Sequence, residues 1–296
     1  MEELKEWHVV DLLKTTAEYF VAKHVDEPRI SSELLLGHVL SLSRLQLYLQ
    51  HDRPVSREEL DRFRDLCRQR LEGRPVQYIT GEQFFYGLQF CVDERVLIPR
   101  PETELLVEQA LESLGMAAHG GTAKATVLDI GTGSGCIAVT MAKLCPSLRV
   151  VAVDSSPDAL VVARMNAERH GVASQVTFIQ ADLFEPYFTA KLPFAPYSLI
   201  ISNPPYIPRS EWESLQREVR QFEPEVALTT PQGTECYRAI AALAPSLLVS
   251  GGMLMFELHA DGAAVVSELM ALQGFTEIRV SKDYSAHDRI ISGVAG

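Results

Sequence analysis

The sequence predicts an α/β protein: a doubly wound parallel sheet with helices on both faces, preceded by a small helical bundle and a linking β-hairpin. Three observations carry this. From Thr126 onward, short apolar runs alternate with segments of helical length and periodicity. Residues 1–75 show helical spacing alone. Between the two lies an aromatic, β-branched stretch punctuated by glycine. With 296 residues, 47% hydrophobic and 22% charged, the chain can build a sizeable core in one large or two ordinary domains.

In the first 75 residues, Trp7, Val10, Leu13, Ala17 and Phe20 recur at helical spacing. Ser31 or Ser32 is placed to cap a helix carrying Leu35, Leu36, Val39 and Leu40. Ser56 opens a capping box with Glu59, and that helix runs through Leu60, Phe63, Leu66 and Leu71 to end near Gly73, with Pro75 beyond. Residues 76–98 read as a hairpin, with Gln77-Tyr78-Ile79-Thr80-Gly81 and then Phe84 to Val92 as its arms. The prolines of Ile98-Pro99-Arg100-Pro101-Glu102-Thr103-Glu104 hold the chain extended until a helix starts with Leu105, Leu106, Glu108 and Leu111. Residues 115–125, rich in Gly and Ala, are expected to be a flexible loop.

Strands are then expected at 126–130, 149–153, 176–180, 197–202, 252–258, 275–281 and near 288–293, and helices at 136–144, 157–170, 235–248 and 262–273. Such alternation implies parallel crossovers. Ligands in sheets of this kind bind outside the carboxyl ends of the strands, where the strand order reverses.

Composition narrows the function classes. No run approaches roughly 18 apolar residues, so no membrane span is expected. The acidic start Met1-Glu2-Glu3-Leu4-Lys5-Glu6 lacks the basic and apolar regions of a signal peptide, and the cytoplasm is the expected compartment. Cys67, Cys91, Cys136, Cys145 and Cys236 form no C-x-x-C pair and read as reduced, buried thiols. The histidines show no ligand spacing, so no metal is expected. The net charge is −12, with 14 acidic against 12 basic residues up to position 75 and 25 against 15 beyond it. An acidic second half argues against bulk binding to a nucleic-acid backbone, which needs clustered Lys and Arg.

Four strand ends carry side chains with chemistry. Val127-Leu128-Asp129-Ile130-Gly131-Thr132-Gly133-Ser134-Gly135-Cys136 is a strand, a glycine loop and a helix start, and the glycines let backbone pass close beneath a ligand. Its pattern is G-x-G-x-G, with Cys136 where a dinucleotide fingerprint has its third glycine. Asp129 either braces this loop or faces a charged amine. The next strand ends in Asp154, placed to accept both hydroxyls of a ribose. Gln180-Ala181-Asp182-Leu183-Phe184 ends the third, with Asp182 poised for an adenine amino group and Leu183 for the ring. The fourth, Tyr197 to Ser202, is stopped by Asn203-Pro204-Pro205-Tyr206. Neither proline has an N–H for a ladder, and Asn203 before proline is held extended. This is either a plain strand-to-loop turn or a rigid corner that accepts hydrogen bonds from a planar –NH2 and covers its flat face.

Taken together, the strand ends resemble a class I S-adenosylmethionine-dependent methyltransferase acting on a planar nitrogen. Ile98 to Glu104, the hairpin from Tyr78-Ile79-Thr80-Gly81 to Phe90, and Arg220-Gln221-Phe222-Glu223-Pro224-Glu225-Val226-Ala227-Leu228 sharpen this. Over residues 76–293 the chain is similar to the peptide chain release factor glutamine methyltransferase family, and its N-terminal region matches in size and class. The resemblance implies a Rossmann-like seven-stranded sheet and three parts: 1–75 a helical substrate-recognition domain, 76–98 a β-hairpin linker, 99–296 the catalytic domain. It implies S-adenosyl-L-methionine as cofactor and methyl transfer to the side-chain amide nitrogen of the glutamine in the Gly-Gly-Gln motif of release factors, modulating translation termination. Release factors are the implied partners, with neither membrane nor direct nucleic-acid binding.

By the same resemblance, cofactor contacts fall on Gly131, Thr132, Gly133, Ser134, Gly135, Asp154, Asp182, Leu183 and Asn203, and acceptor contacts on Asn203, Pro204, Pro205 and Tyr206. Asn203, Pro204 and Tyr206 are the implied catalytic residues. Asn203 Oδ1 and the Pro204 carbonyl accept the two amide hydrogens, and Tyr206 packs on the amide plane. Pro99 to Glu102 wall the same pocket. Arg100 faces either the cofactor carboxylate or one of Glu102 and Glu104, and Glu223 and Glu257 fall near strand-end loops as lesser catalytic candidates. Phe256-Glu257-Leu258-His259-Ala260-Asp261-Gly262 departs from the family's Glu, His-Gly, Gln-Gly turn, so no role carries over to residues 259–261. Three rival readings stay open. An adenine amino-methyltransferase acting on DNA or RNA would use the same corner for a flipped base and show a basic groove. An NAD-linked oxidoreductase is opposed by Cys136 and N-P-P-Y, and an idle binding module by the complete motif set.

Overall fold

The computed structural model describes residues 6–115, 125–259 and 261–296. The loop expected at 115–125 lies, apart from its end residues, outside them, as does Ala260 of the altered turn. Two compact units result. The first runs to Glu82 and takes in Gln216–Phe222; the second comprises Gln83–Leu215 and Glu223–Gly296.

The first unit contains α1 (Val9–Ala22), α2 (Pro28–Leu40), α3 (Arg44–Leu49), α4 (Arg57–Leu71) and α5 (Val76–Thr80). Val9, Leu12, Phe20, Leu35, Leu36, Leu47, Phe63 and Val76 form its core. The Ser56–Glu59 capping box opens α4 as expected. Helix α2 begins earlier than expected, because Pro28 sits in its first turn, where a fixed φ and a missing N–H cost nothing. Ser31 and Ser32 are therefore inside the helix, where they donate to the carbonyls of Asp26 and Arg29. The short α3 was not expected, although its Ser43–Gln46 capping box is written in the sequence. Residues 77–80 are helical rather than extended. Pro75 opens the turn, Gly81 at φ +74° closes it, and Val76 and Ile79 face the bundle core, which overrides their β-propensity. Buried Arg70 donates to Ser31 Oγ, to the Asp26 and Arg74 carbonyls and, at 2.5 Å, to Glu218, tying α4 to the segment Gln216–Phe222.

The hairpin is β1 (Glu82–Phe85) and β2 (Leu88–Cys91). Next come α6 (Glu102–Ser113), β3 (Thr126–Ile130), α7 (Cys136–Leu144), β4 (Arg149–Asp154), α8 (Pro157–Arg169), β5 (Val176–Gln180) and β6 (Tyr197–Ser202). A compact excursion follows, with β7 (Ile207–Pro208), α9 (Arg217–Phe222, part of the first unit) and β8 (Thr229–Thr230), which pairs with β7. The chain closes with α10 (Glu235–Leu247), β9 (Leu248–Glu257), α11 (Ala263–Leu272), β10 (Thr276–Lys282) and β11 (Asp288–Val294).

The seven-stranded sheet has the order β10-β11-β9-β6-β3-β4-β5. Its central strands are buried on both faces: Val127, Val150 and Leu199 join a core with α6 and α7, while Leu128, Val151 and Ile200 join one with α10 and α11. The sheet is mixed rather than wholly parallel. Strand β11 runs antiparallel to both neighbours, since the five residues between β10 and β11 are too few for a crossover. Strand order reverses at β3 and β6, so the switch point lies between the glycine loop and N-P-P-Y. No helix of the described residues is long and apolar enough to cross a membrane.

Candidate active site

The carboxyl ends of β3, β4, β5 and β6 open on a cleft of about 580 Å³. Gly131, Gly133, Asp154, Asp182, Leu183, Asn203, Pro204 and Pro205 line it. Thr132, Ser134 and Gly135, expected beside them, do not: they are buried in the loop. A Cβ on Gly135 would stand 3.1 Å from that of Ala163, so this glycine serves the close approach of α7 to α8. Tyr206 does not line the cleft either. Glu94 to Leu97, Val226, Ala227 and Thr229 to Pro231 do, although the sequence suggested no role for them.

The glycine loop is wired internally. The N–H groups of Gly131 and Thr132 donate to the Val153 carbonyl at 2.8 and 3.0 Å, and that of Gly135 to the Thr132 carbonyl at 2.8 Å. Gly133 N–H donates to Asp154 Oδ2 at 2.8 Å. These donors are therefore engaged and cannot cradle a pyrophosphate, which needs free N–H groups at a helix start. Gly131 and Gly133 sit at φ +78° and +55°, and nothing lies within 4 Å of where a Cβ would stand. The loop thus leaves room for a ligand against its backbone.

Around it stand three aspartates. Asp154 Oδ1 accepts from Ser156 N–H at 2.9 Å, so each carboxylate oxygen holds one backbone donor and keeps a second lone pair. Burial raises its pKa. Asp182 Oδ1 accepts from Phe184 N–H at 2.9 Å. Asp129 is fully buried; its Oδ2 takes the Thr132 hydroxyl at 2.6 Å, while Oδ1 finds no hydrogen-bond partner among the described residues. Asp129 does brace the loop.

The N-P-P-Y corner is held from behind. Ser202 Oγ donates to the Ile130 carbonyl at 2.6 Å, joining the ends of β6 and β3. Asn203 Nδ2 donates to Thr103 Oγ1 at 3.1 Å, Thr103 donates to Glu257 Oε2 at 2.6 Å, and the Tyr206 hydroxyl lies 3.3 Å from Glu257 Oε1. The Tyr206 ring packs edge-on against His259, with centroids 5.9 Å apart. Arg100 pairs with neither Glu102 nor Glu104. It meets Glu223 at 2.6 Å, whose other oxygen takes the Ile98 N–H, so Glu223 anchors the proline-rich segment. Sequence reasoning missed Thr103; its only signal was a hydroxyl between two glutamates.

Burial pushes Glu257 and Asp129 up to about 7, against their hydrogen bonds from Thr103 and Thr132. Each holds a proton in the fold at pH values where the unfolded chain has released it. Their contribution to stability is therefore complete below the ordinary carboxylate range and is lost as pH rises through about 7.

Residues 11–81 match the PrmC N-terminal domain and residues 102–219 the methyltransferase small domain. Over 295 residues, covering 100% of both chains, the sequence is 56% identical to the release factor glutamine methyltransferase of Chlorobaculum tepidum. The chain belongs to the release factor glutamine methyltransferase family. A second family member, from Geobacter sulfurreducens, is 42% identical over 296 residues, covering 100% of this chain and 99% of that one. Among solved structures, a methyltransferase from Pyrococcus furiosus has the same fold, with a TM-score of 0.50 and 18% identity over 72% of this chain and 91% of that one. A release factor glutamine methyltransferase uses S-adenosylmethionine, a nucleoside without phosphate. The cleft fits that group, with open space over Gly131 and Gly133 and a carboxylate at the end of β4.

Proposed function

We propose that this enzyme methylates the side-chain amide nitrogen of the Gly-Gly-Gln glutamine of release factors in the cytoplasm, and so modulates translation termination. The observation that carries this reading is the full-length 56% identity to a release factor glutamine methyltransferase. The N-P-P corner opening into the same cleft as the glycine loop agrees with it. When bound, S-adenosylmethionine supplies an electrophilic methyl on a sulfonium.

In this reading Gly131 and Gly133 leave room for the cofactor against the backbone. Asp154 accepts the ribose hydroxyls through its remaining lone pairs, and Asp182 and Leu183 meet the base. Thr132, Ser134 and Gly135 act through the shape of the loop. An amide nitrogen is a poor nucleophile because its lone pair is delocalised, so catalysis rests on alignment and preorganised charge. Asn203 Oδ1 and the Pro204 carbonyl accept the two amide hydrogens and stabilise positive charge growing on nitrogen. Pro205 keeps the corner rigid, and Tyr206, tethered to Glu257, bounds it. No strong base is assigned, since the methylated nitrogen is acidic and sheds its proton late.

Tritiated S-adenosylmethionine offered together with a purified release factor and an adenine-rich oligonucleotide tests the acceptor. The release factor is expected to take the label. Label on the oligonucleotide instead would establish the adenine reading. The first unit is proposed to recognise the protein substrate, because one glutamine side chain offers little specificity. Leu45 and Leu49 on α3 are 69% and 70% exposed. Changing both to aspartate is expected to raise KM for intact release factor about tenfold and leave KM for a short Gly-Gly-Gln peptide unchanged. Equal effects on the two substrates would remove the recognition role from this face.

A further inference from the structure

We propose that Thr103 and Glu257 are positioning residues that fix the direction of the Asn203 amide and make the N-P-P-Y corner an acceptor-only clamp; this deepens the glutamine-transfer reading above and rests on it. Strands β6 and β9 are neighbours in register, with Ser202 opposite Phe256, so Asn203 and Glu257 leave the sheet at the same level. Thr103, from the first turn of α6, stands between them, with Oγ1 2.6 Å from Glu257 Oε2 and 3.1 Å from Asn203 Nδ2. Thr103 and Glu257 are 2% and 1% exposed, so bulk water has little access to either.

Proton counting sets the polarity. A hydroxyl has one hydrogen, and an ionised carboxylate only accepts. The Thr103 hydrogen therefore goes to Glu257, and the same oxygen offers Asn203 a lone pair alone. Only the NH2 end of the Asn203 amide can meet that lone pair. A flipped amide would set Oδ1 against it and leave a buried acceptor unpaired. Oδ1 is thus left for the cleft, where an incoming –NH2 needs an acceptor. The second Glu257 oxygen receives the Tyr206 hydroxyl, so one buried carboxylate orients both polar ends of the motif.

The carboxylate must be ionised for this one-way order. A protonated Glu257 can donate to Thr103, which frees the Thr103 hydrogen to face Asn203 and permits the inverted amide. Burial raises Glu257 to about 7, so transfer is expected to decline as pH falls below about 7. The titratable and charged groups around Glu257 are Glu102 on α6, Cys136 on α7, Tyr206, Tyr237 on α10 and Arg289 on β11. His259, edge-on to Tyr206, lies 3.6 Å from Glu211.

The chain has two asparagines, Asn166 and Asn203, so isotope labelling of asparagine alone gives two side-chain NH2 signals. Asn166, bonded to the Cys91 and Ser134 carbonyls, is the internal reference. Asn203 NH2 exchange is expected to be slow in the parent and in Thr103→Ser, and about tenfold faster in Thr103→Val with Asn166 unchanged. With release factor as substrate, kcat is expected to fall about thirtyfold in Thr103→Val and about tenfold in Glu257→Gln, while Thr103→Ser recovers to within about threefold. Affinity for S-adenosylhomocysteine stays within about twofold in all three, and the acid limb near pH 7 disappears in Glu257→Gln. Unchanged Asn203 exchange in Thr103→Val, or parental kcat in that variant, overturns the proposal. If the exchange pattern holds but the parent leaves release factor unmodified, the amide orientation stands and the acceptor reading falls.

Discussion

Asn203→Ala is expected to lower kcat for release factor methylation by about a thousandfold, the scale seen when one preorganised polar partner of a developing charge is removed. Binding of S-adenosylhomocysteine should change by no more than about threefold, because Gly131, Gly133, Asp154 and Asp182, which line the cleft, lie at the ends of β3, β4 and β5. The variant should remain folded: Asn203 is only partly buried, and the hydrogen bond it gives up leaves Thr103 still donating to Glu257. Calorimetry with S-adenosylhomocysteine beside a single-turnover methylation assay separates the two quantities. Near-parental turnover would remove the corner from the mechanism.

Asp154→Ala should act in the opposite sense, weakening S-adenosylhomocysteine binding about thirtyfold to a hundredfold while the chemical step at saturating cofactor changes little. Two losses combine here. The ribose loses its acceptor, and the N–H groups of Gly133 and Ser156 lose the carboxylate that holds the loop in shape. Asp154→Asn distinguishes them, since one amide oxygen can still brace Gly133 but a second acceptor is gone; intermediate affinity is expected. Unchanged affinity in Asp154→Ala by calorimetry would show that the ribose lies elsewhere.

Much of this arrangement was legible in the residues. The strands from Thr126 to Ser202 and the helices following β3 and β4 fall within a residue or two of expectation, because buried parallel strands are continuous apolar runs and their helices carry caps such as Ser156. What escaped was either short or non-local. Helix α3 is only six residues long, and β7, β8 and α9 have too few residues to show a period. The helical turn at 77–80 hid behind Tyr and Ile, whose β-propensity yields to Pro75, Gly81 and the bundle core. The antiparallel β11 follows from a connection length that periodicity does not weigh. The Thr103–Glu257 bond joins residues 154 apart in sequence, and no local pattern announces it. For the same reason Tyr206 was expected in the cleft, whereas its hydroxyl is drawn toward Glu257.

The central claim is that the acceptor is a glutamine amide in a protein loop. Its most direct test is mass mapping of a purified release factor after incubation with the enzyme and S-adenosylmethionine. One added methyl group on the side chain of the Gly-Gly-Gln glutamine, absent when Asn203→Ala replaces the parent, is the predicted result. An unmodified Gly-Gly-Gln peptide, or a methyl group on any other residue, would contradict it.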